Sequence, residues 1–207
     1  MAAQTLGFRT AEFLVSESNG YQSRDEGTVT ATAALPAGAV LGKVTVGAAT
    51  ASAQAGNTGN ATISAVTVGT KAEAGVYVVE FTAATAFIVI APDGNQVGNG
   101  VTGVAFAVTD HIDFTITAGG TPMVAGDGFN VTVAAGSGAY VAYSASAANG
   151  AATVAGILFE GVPASTTDNR TIVNSNAEVN YAHLTVTGTK AVIVAGLAAL
   201  GIKVREE

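Results

Sequence analysis

From Ala61 to Gly136 the chain alternates apolar and polar residues in short runs, "ATISAVTV", "GVYVVEFTA", "AFIVIAPDGN", "GVAFAV", "IDFTITAGG" and "GFNVTVAAG". Each run is rich in β-branched or aromatic residues and bounded by Gly, Asp or Asn, the pattern of a half-buried strand between turns. Roughly six or seven such strands, about ten residues apart, predict a small antiparallel β-sandwich of immunoglobulin-like class. Pro92, Asp93 and Gly94 stand in the order of a tight turn between two of them.

The flanks carry different patterns. "GTVTATAALPAGAVLGKVTV", from Gly27, reads as strand, turn and strand, with Pro36 and Gly38 in the turn and extended structure over 40–46. Thr153 to Phe159 reads as a buried strand. Lys190 to Leu200 has the length and Ala/Leu content of a helix, although Val192, Ile193, Val194 and Gly196 oppose it. Its apolar positions suit a core or a subunit interface equally. Residues 1–20 lack sustained periodicity and hold one apolar knot, Phe13, Leu14 and Val15; such a terminus is expected to be mobile until something binds it.

Between the first flank and the sandwich lies "ATASAQAGNTGNATIS", residues 49–64, a run of Ala, Gly, Ser, Thr and Asn that lacks the bulk to pack a core before Ile63. It reads either as a linker between tandem domains or as a doorway through which the chain leaves one domain and later returns.

Composition narrows the class. Of 207 residues 49% are apolar, enough to bury a real core, and only 11% are charged, against about 25% in an average soluble domain. Solubility must then rest on Thr, Ser, Asn and backbone, or on cover by other subunits. Without Cys, disulfides, thiolate nucleophiles and Cys-ligated metals are excluded. The start, "MAAQTLGFRTAEF", shows no basic and apolar leader, so synthesis in a cytoplasm is expected. The apolar run Ala191 to Ile202 is shorter than the roughly 20 residues that span a bilayer. The net charge of −7 argues against nucleic acid as a partner. The acids concentrate in the middle, where residues 55–135 set Lys71 against Glu73, Glu80, Asp93, Asp110, Asp113 and Asp127.

No chemistry-bearing constellation emerges. "GNQVGNG" and "GDGFN" lack the Lys-Ser/Thr ending of a phosphate loop and read as hairpin turns. Asp110, Asp113 and Asp127 match no calcium-loop spacing and read as surface carboxylates. His111 and His183 have no nucleophile elbow to serve and read as surface or turn residues. Asn60, Asn130 and Asn169 open glycosylation sequons that lack an export signal. No catalytic residue, metal or cofactor is expected.

Taken in order, "FRTAEFLVSESNGYQSRDEGTVTATAALPAGAVLGKVT", "GAYVAYSASAANGAATVAGILFEGV", "NAEVN" and "LAALGIKV" carry a further signal. Together these words resemble the lambda-type head decoration proteins of tailed bacteriophages. The family passes from "LGKVT" to its "YVPY" segment within a few residues, whereas here about 50–137 intervene and Ala142 stands at the usual Pro. The resemblance therefore favours the doorway. It implies a mainly β (α+β) fold: a flexible capsid-binding arm (1–20), a discontinuous β-rich body with a C-terminal helix (21–54 and 136–207), and an inserted antiparallel sandwich (55–135).

The resemblance further implies a homotrimer on the outer surface of the virion's mature capsid, binding the major capsid protein and cementing the shell against DNA pressure. The arm would add to a sheet of that protein, with Phe8, Arg9, Thr10, Glu12, Phe13, Leu14 and Val15 as the contact segment. Phe8, Phe13 and Val15 would be anchors and Arg9 and Glu12 polar partners. No nucleic acid or membrane partner is expected; by analogy alone, the sandwich is given a glycan or cell-surface ligand. The alternative from a different class is a bacterial cell-surface or adhesin module, which suits a Cys-free, acidic, Thr/Gly-rich β chain.

Overall fold

The computed structural model describes residues 9–107 and 110–206. In the first stretch the elements are β1 (Leu14–Glu17), α1 (Gly20–Ser23), β2 (Arg24–Ala31) and β3 (Val40–Lys43). Then come β4 (Val46–Ala53), β5 (Thr62–Ile63), β6 (Thr67–Val68), β7 (Gly75–Phe81), β8 (Ala86–Ile90), β9 (Gln96–Val101), β10 (Ala105–Ala107), β11 (Ile112–Thr117) and β12 (Gly128–Ala135). The last third holds β13 (Tyr140–Ala142), β14 (Val154–Leu158), β15 (Thr166–Val173), β16 (Ala177–Asn180), α2 (Lys190–Ala199) and β17 (Lys203–Arg205). The fold is mainly β with a C-terminal helix, as the sequence predicts.

The chain forms two compact units, one of Met1–Val44, Gly138–Ala147 and Ala151–Glu207, the other of Thr45–Ser137 and Ala148–Gly150. In the first, β13, β2, β15, β14 and β3 close a barrel. Its longest ladder runs antiparallel from Ala31↔Thr166 to Arg24↔Val173. Val29, Ala31, Ala39, Leu41, Leu158, Val162 and Ile172 cluster in its core. A separate three-stranded sheet has the order β1, β16, β17. A second cluster joins Phe13, Val40, Val154, Ile157, Val179, Ile193 and Leu197.

The helix α2 forms despite its β-branched triplet because tertiary packing outweighs propensity. Ile193 and Leu197, one turn apart, are both fully buried. Gly196 lets the helix approach β14 so closely that a Cβ there would stand 2.7 Å from Val154. Gly201 closes the helix in the left-handed region (φ 74°), with Ile202 N–H donating to the Leu197 carbonyl at 2.9 Å and Gly201 N–H to that of Ala198 at 3.0 Å.

The second unit is built from two antiparallel sheets. One has the order β4, β12, β7, β8, β9; in the other β11 pairs with β10, β5 and β6. Alternation places Tyr77, Val79, Phe81, Phe87, Val89, Phe106, Ile112, Phe114, Ile116, Phe129, Val131 and Val133 in one core. Phe106 and Phe114 stack at 5.0 Å between centroids.

Two segments differ from expectation. The small-residue stretch begins with a regular strand: Ala49 to Ala53 pair in register with Val133 to Phe129, while Ala49 and Ala51 pack against the core. Alanine suffices there because large side chains stand opposite on the neighbouring strand, Phe129 against Ala53, Val131 against Ala51 and Val133 against Ala49. The expected division at 54/55 thus falls after a strand of the sandwich, whereas the units divide between Val44 and Thr45. Likewise "QVGNGV" is the strand β9, not a turn. Its Gly100 leaves room for the Phe87 ring, which an added Cβ would meet at 2.4 Å. The turn before it is the expected one, with Gly94 at φ 86° and its N–H on the Ala91 carbonyl at 2.9 Å.

The passages out of and back into the first unit run side by side. Val44 N–H donates to the Ala139 carbonyl at 2.9 Å, Gly138 N–H to that of Val44 at 2.9 Å, and Gly136 N–H to that of Thr45 at 2.9 Å.

Candidate functional site

The expected contact segment runs from Phe8 to Val15, and Phe8 lies outside the described residues. Arg9 and Thr10 are exposed. Arg9 N–H donates to a Glu12 carboxylate oxygen at 2.8 Å, Glu12 N–H to the Arg9 carbonyl at 3.1 Å and Leu14 N–H to that of Ala11 at 3.0 Å. Ala11 takes the left-handed conformation (φ 63°), an uncommon one for a residue with a Cβ. This compact turn holds the chain against the body: Ala11 N–H reaches the Phe159 carbonyl at 3.4 Å and Asn180 N–H the Phe13 carbonyl at 2.8 Å. The Glu12 carbonyl lies 3.0 Å from His183 Nδ1.

Phe13, expected to be an anchor for a partner, is 0% exposed. Its ring belongs to the body's own core, with Leu14 packed half-buried beside it. Val15 differs, at 50% exposure. The β1–β16 register slips between Leu14↔Val179 and Ser16↔Glu178, so Val15 is the extra residue of a β-bulge. Since β1 is the outer strand of its sheet, the segment ends in a strand whose other edge is unpaired among the described residues, the feature that strand addition requires.

Beyond β1 the chain is fixed by a small polar network. Arg24 pairs with Glu17 through Nη2 and, at 2.9 Å, through Nε, while the buried Ser23 hydroxyl donates to the same carboxylate at 2.7 Å. The guanidinium lies 3.8 Å over the Phe159 ring centroid. The hydrogen bond from Arg24 is the main cause holding the Glu17 carboxyl below its ordinary range. Between Glu17 and Arg24, Tyr21 is 98% exposed.

The acids of the second unit serve separate ends. Asp127, expected on the surface, is only 4% exposed. Its carboxylate accepts from the N–H groups of Thr58 at 2.8 Å, Gly59 at 2.9 Å and Val124 at 3.0 Å. The Thr58 and Gly59 bonds lead in depressing its pKa. Asn57 exchanges two 2.8 Å hydrogen bonds with the Gly128 backbone, and Asn60 accepts from Thr121 N–H at 2.8 Å. "GNTGN" is therefore a polar clasp over 121–128. Asp110 pairs with Lys71 at 3.4 Å. His111 Nδ1 is 3.2 Å from the hydroxyl of Tyr77, whose burial raises its pKa.

Among the described residues no cluster of His, Asp or Glu could hold a metal ion, and no helix is long and apolar enough to cross a membrane. The arrangement offers an edge strand preceded by a turn fastened to the body.

The family model described as bacteriophage lambda head decoration protein D matches residues 3–86 and 109–202. The match thus continues into the second unit on both sides and breaks only over 87–108, a narrower gap than Thr45–Ser137. No curated protein matches the chain. Among solved structures, FlgL of Xanthomonas campestris is similar at 22% identity and TM-score 0.35, over 48% of this chain and 33% of FlgL. The hook junction protein FlgK of Burkholderia pseudomallei follows at 23% and 0.34, over 59% of this chain and 21% of FlgK. The chain spans a third or less of these flagellar proteins.

Proposed function

The chain belongs to the bacteriophage lambda head decoration protein D family, and from that premise we propose that it acts as a trimeric cement on the outside of the mature icosahedral head. Membership carries the coarse role, decoration of the phage capsid. The observation that best supports the finer reading is the lead segment running into the open-edged strand β1.

In this reading the residues before Arg9, with Arg9, Thr10, Glu12 and Val15, contact the major capsid protein by strand addition. Main-chain hydrogen bonds supply affinity and alternate side chains supply register. Phe13 and Leu14 contribute from beneath, by holding the turn from which the arm departs. Ordering an arm costs conformational entropy, so one arm binds modestly. On a trimer the second and third arms bind at the effective concentration set by the first, with gains of about 10²–10⁴. Binding that requires the assembled shell stabilises it by mass action.

The second unit is read as a sandwich inserted into the decoration body and turned outward for weak surface attachment. Its aromatic side chains Tyr77, Phe81, Phe87, Phe106, Phe114 and Phe129 are all buried, so a glycan there would be held by amides and carboxylates. Removing residues 1–8 tests the arm. The shortened protein should keep its free oligomeric mass and melting temperature while losing most of its occupancy on purified shells; full occupancy would refute the arm mechanism. Mass spectrometry of purified virions separates this reading from a host-surface module, which would be absent from particles.

A further inference from the structure

We propose that Asn19 is a site of spontaneous covalent modification, at which the chain's own backbone converts the side-chain amide to aspartate and isoaspartate. The inference stands apart from the capsid-binding reading and does not need it.

The chemistry belongs to Asn-Gly pairs, of which the chain has three: Asn19-Gly20, Asn99-Gly100 and Asn149-Gly150. The backbone nitrogen of the glycine gives its proton to solvent base and attacks the asparagine Cγ. A C–N bond forms there, the side-chain nitrogen leaves as ammonia with a proton taken from water, and a succinimide ring results. Water then adds to either carbonyl of the ring and opens it. One opening gives aspartate; the other gives isoaspartate, with an extra methylene in the main chain. Nothing is oxidised or reduced. Glycine favours the step because no Cβ crowds the attacking nitrogen and its torsions are free. The peptide between the two residues is a rigid plane that must swing as a unit to bring nitrogen to Cγ, so whatever holds that plane sets the rate.

The three pairs differ in what holds it. Asn99 and Gly100 lie within the β8–β9 ladder, opposite Ile88 and Phe87, with Gly100 pressed on the Phe87 ring. The Asn149 carbonyl accepts from Thr45 N–H at 2.9 Å and Val46 N–H at 3.2 Å, donors remote in the chain. Asn19 is exposed, and its carboxamide makes no capping hydrogen bond. Its carbonyl accepts from Gln22 N–H at 2.8 Å and, at 3.4 Å, from the Ser23 hydroxyl, both within the single helical turn Gly20–Ser23. One turn of helix is marginal by itself and opens locally without disturbing a core.

The position gives the reaction a consequence. Ser18 N–H donates to the Asn176 carbonyl at 3.0 Å and the Ser23 hydroxyl to Glu17 at 2.7 Å, so Asn19 lies between two fastenings of the link from β1 to β2. An added methylene and a new negative charge strain both.

The test holds the full-length protein at mildly alkaline pH, native and in denaturant, and follows each pair by peptide mapping and isoaspartyl-specific enzymatic methylation. In denaturant the three pairs should convert at similar rates. In the native protein Asn99 and Asn149 should slow by about tenfold or more, while Asn19 keeps most of its denatured rate. Gly20→Ala, which meets nothing within 4 Å, should suppress conversion at Asn19 without lowering the melting temperature. Native protection of Asn19 as strong as that of the other two would overturn the proposal, as would conversion of Asn99 or Asn149 ahead of it. Undiminished conversion in Gly20→Ala would overturn Gly20 as the source of the attacking nitrogen.

Discussion

Phe13 and Asp127 hold their respective units by different physics. Phe13 contributes apolar area and fills space, so Phe13→Ala should cost about 3–5 kcal/mol by transfer and cavity terms, read as a lower melting temperature of the first unit. Asp127 acts through charge-assisted bonds to three backbone N–H groups, and its carboxyl is held below the ordinary range. A depressed folded pKa contributes stability that is complete above the unfolded value, about 3.9, and is lost as pH falls through the folded value. Glu17 and Glu178 are shifted the same way, chiefly by Arg24 and Arg205. Acidification below about pH 4 should therefore loosen both units. Asp127→Asn should make the second unit far less sensitive over that window and less stable at neutral pH, as hydrogen exchange at Val79 and Val131 would register. Neither role was legible in sequence. Nothing local distinguishes a Phe that turns inward from one that reaches out, and the Asp127 cap depends on Thr58 and Gly59, which are remote in the chain.

Strands announced themselves where alternation carried large side chains. In β7, Tyr77, Val79 and Phe81 mark one face; in β11, Ile112, Phe114 and Ile116 do so. Alternation failed in β4, where alanine fills the inward positions, and in β9, where glycine yields space to a ring from β8. In both cases the bulk that defines the element belongs to a neighbour, and a single run of sequence cannot display it. The helix α2 was legible from its length and Ala/Leu content, even against its propensity. The paired passages at Val44 and Gly138 support one engineering prediction about insertion. Replacing residues 45–137 by a two-residue Asn-Gly turn, which suits antiparallel neighbours, should leave a folded first unit with its free oligomeric mass intact. A misfolded product would refute independence of the body. Cutting from residue 56 instead would strand β4 without its partner β12.

Across the whole molecule, scarcity of charge agrees with a protein designed to be partly covered. Only 11% of residues are charged. The family was legible because its words recur in order before and after the second unit, whose own large side chains face inward. If decoration cements the shell, the rupture temperature of purified heads should rise with the concentration of free protein, following the logarithmic law of ligand linkage. A rupture temperature independent of concentration, at partial occupancy, would contradict that mechanism.

The barrel draws β2 and β3 from before the second unit and β13, β14 and β15 from after it. A single protease cut at the exposed turn 93–95 would sever the chain's covalent continuity but leave both fragments interleaved in one closed wall of hydrogen bonds. The two pieces become complementary halves, so the protein is a natural candidate for division into separately encoded parts that reunite on folding.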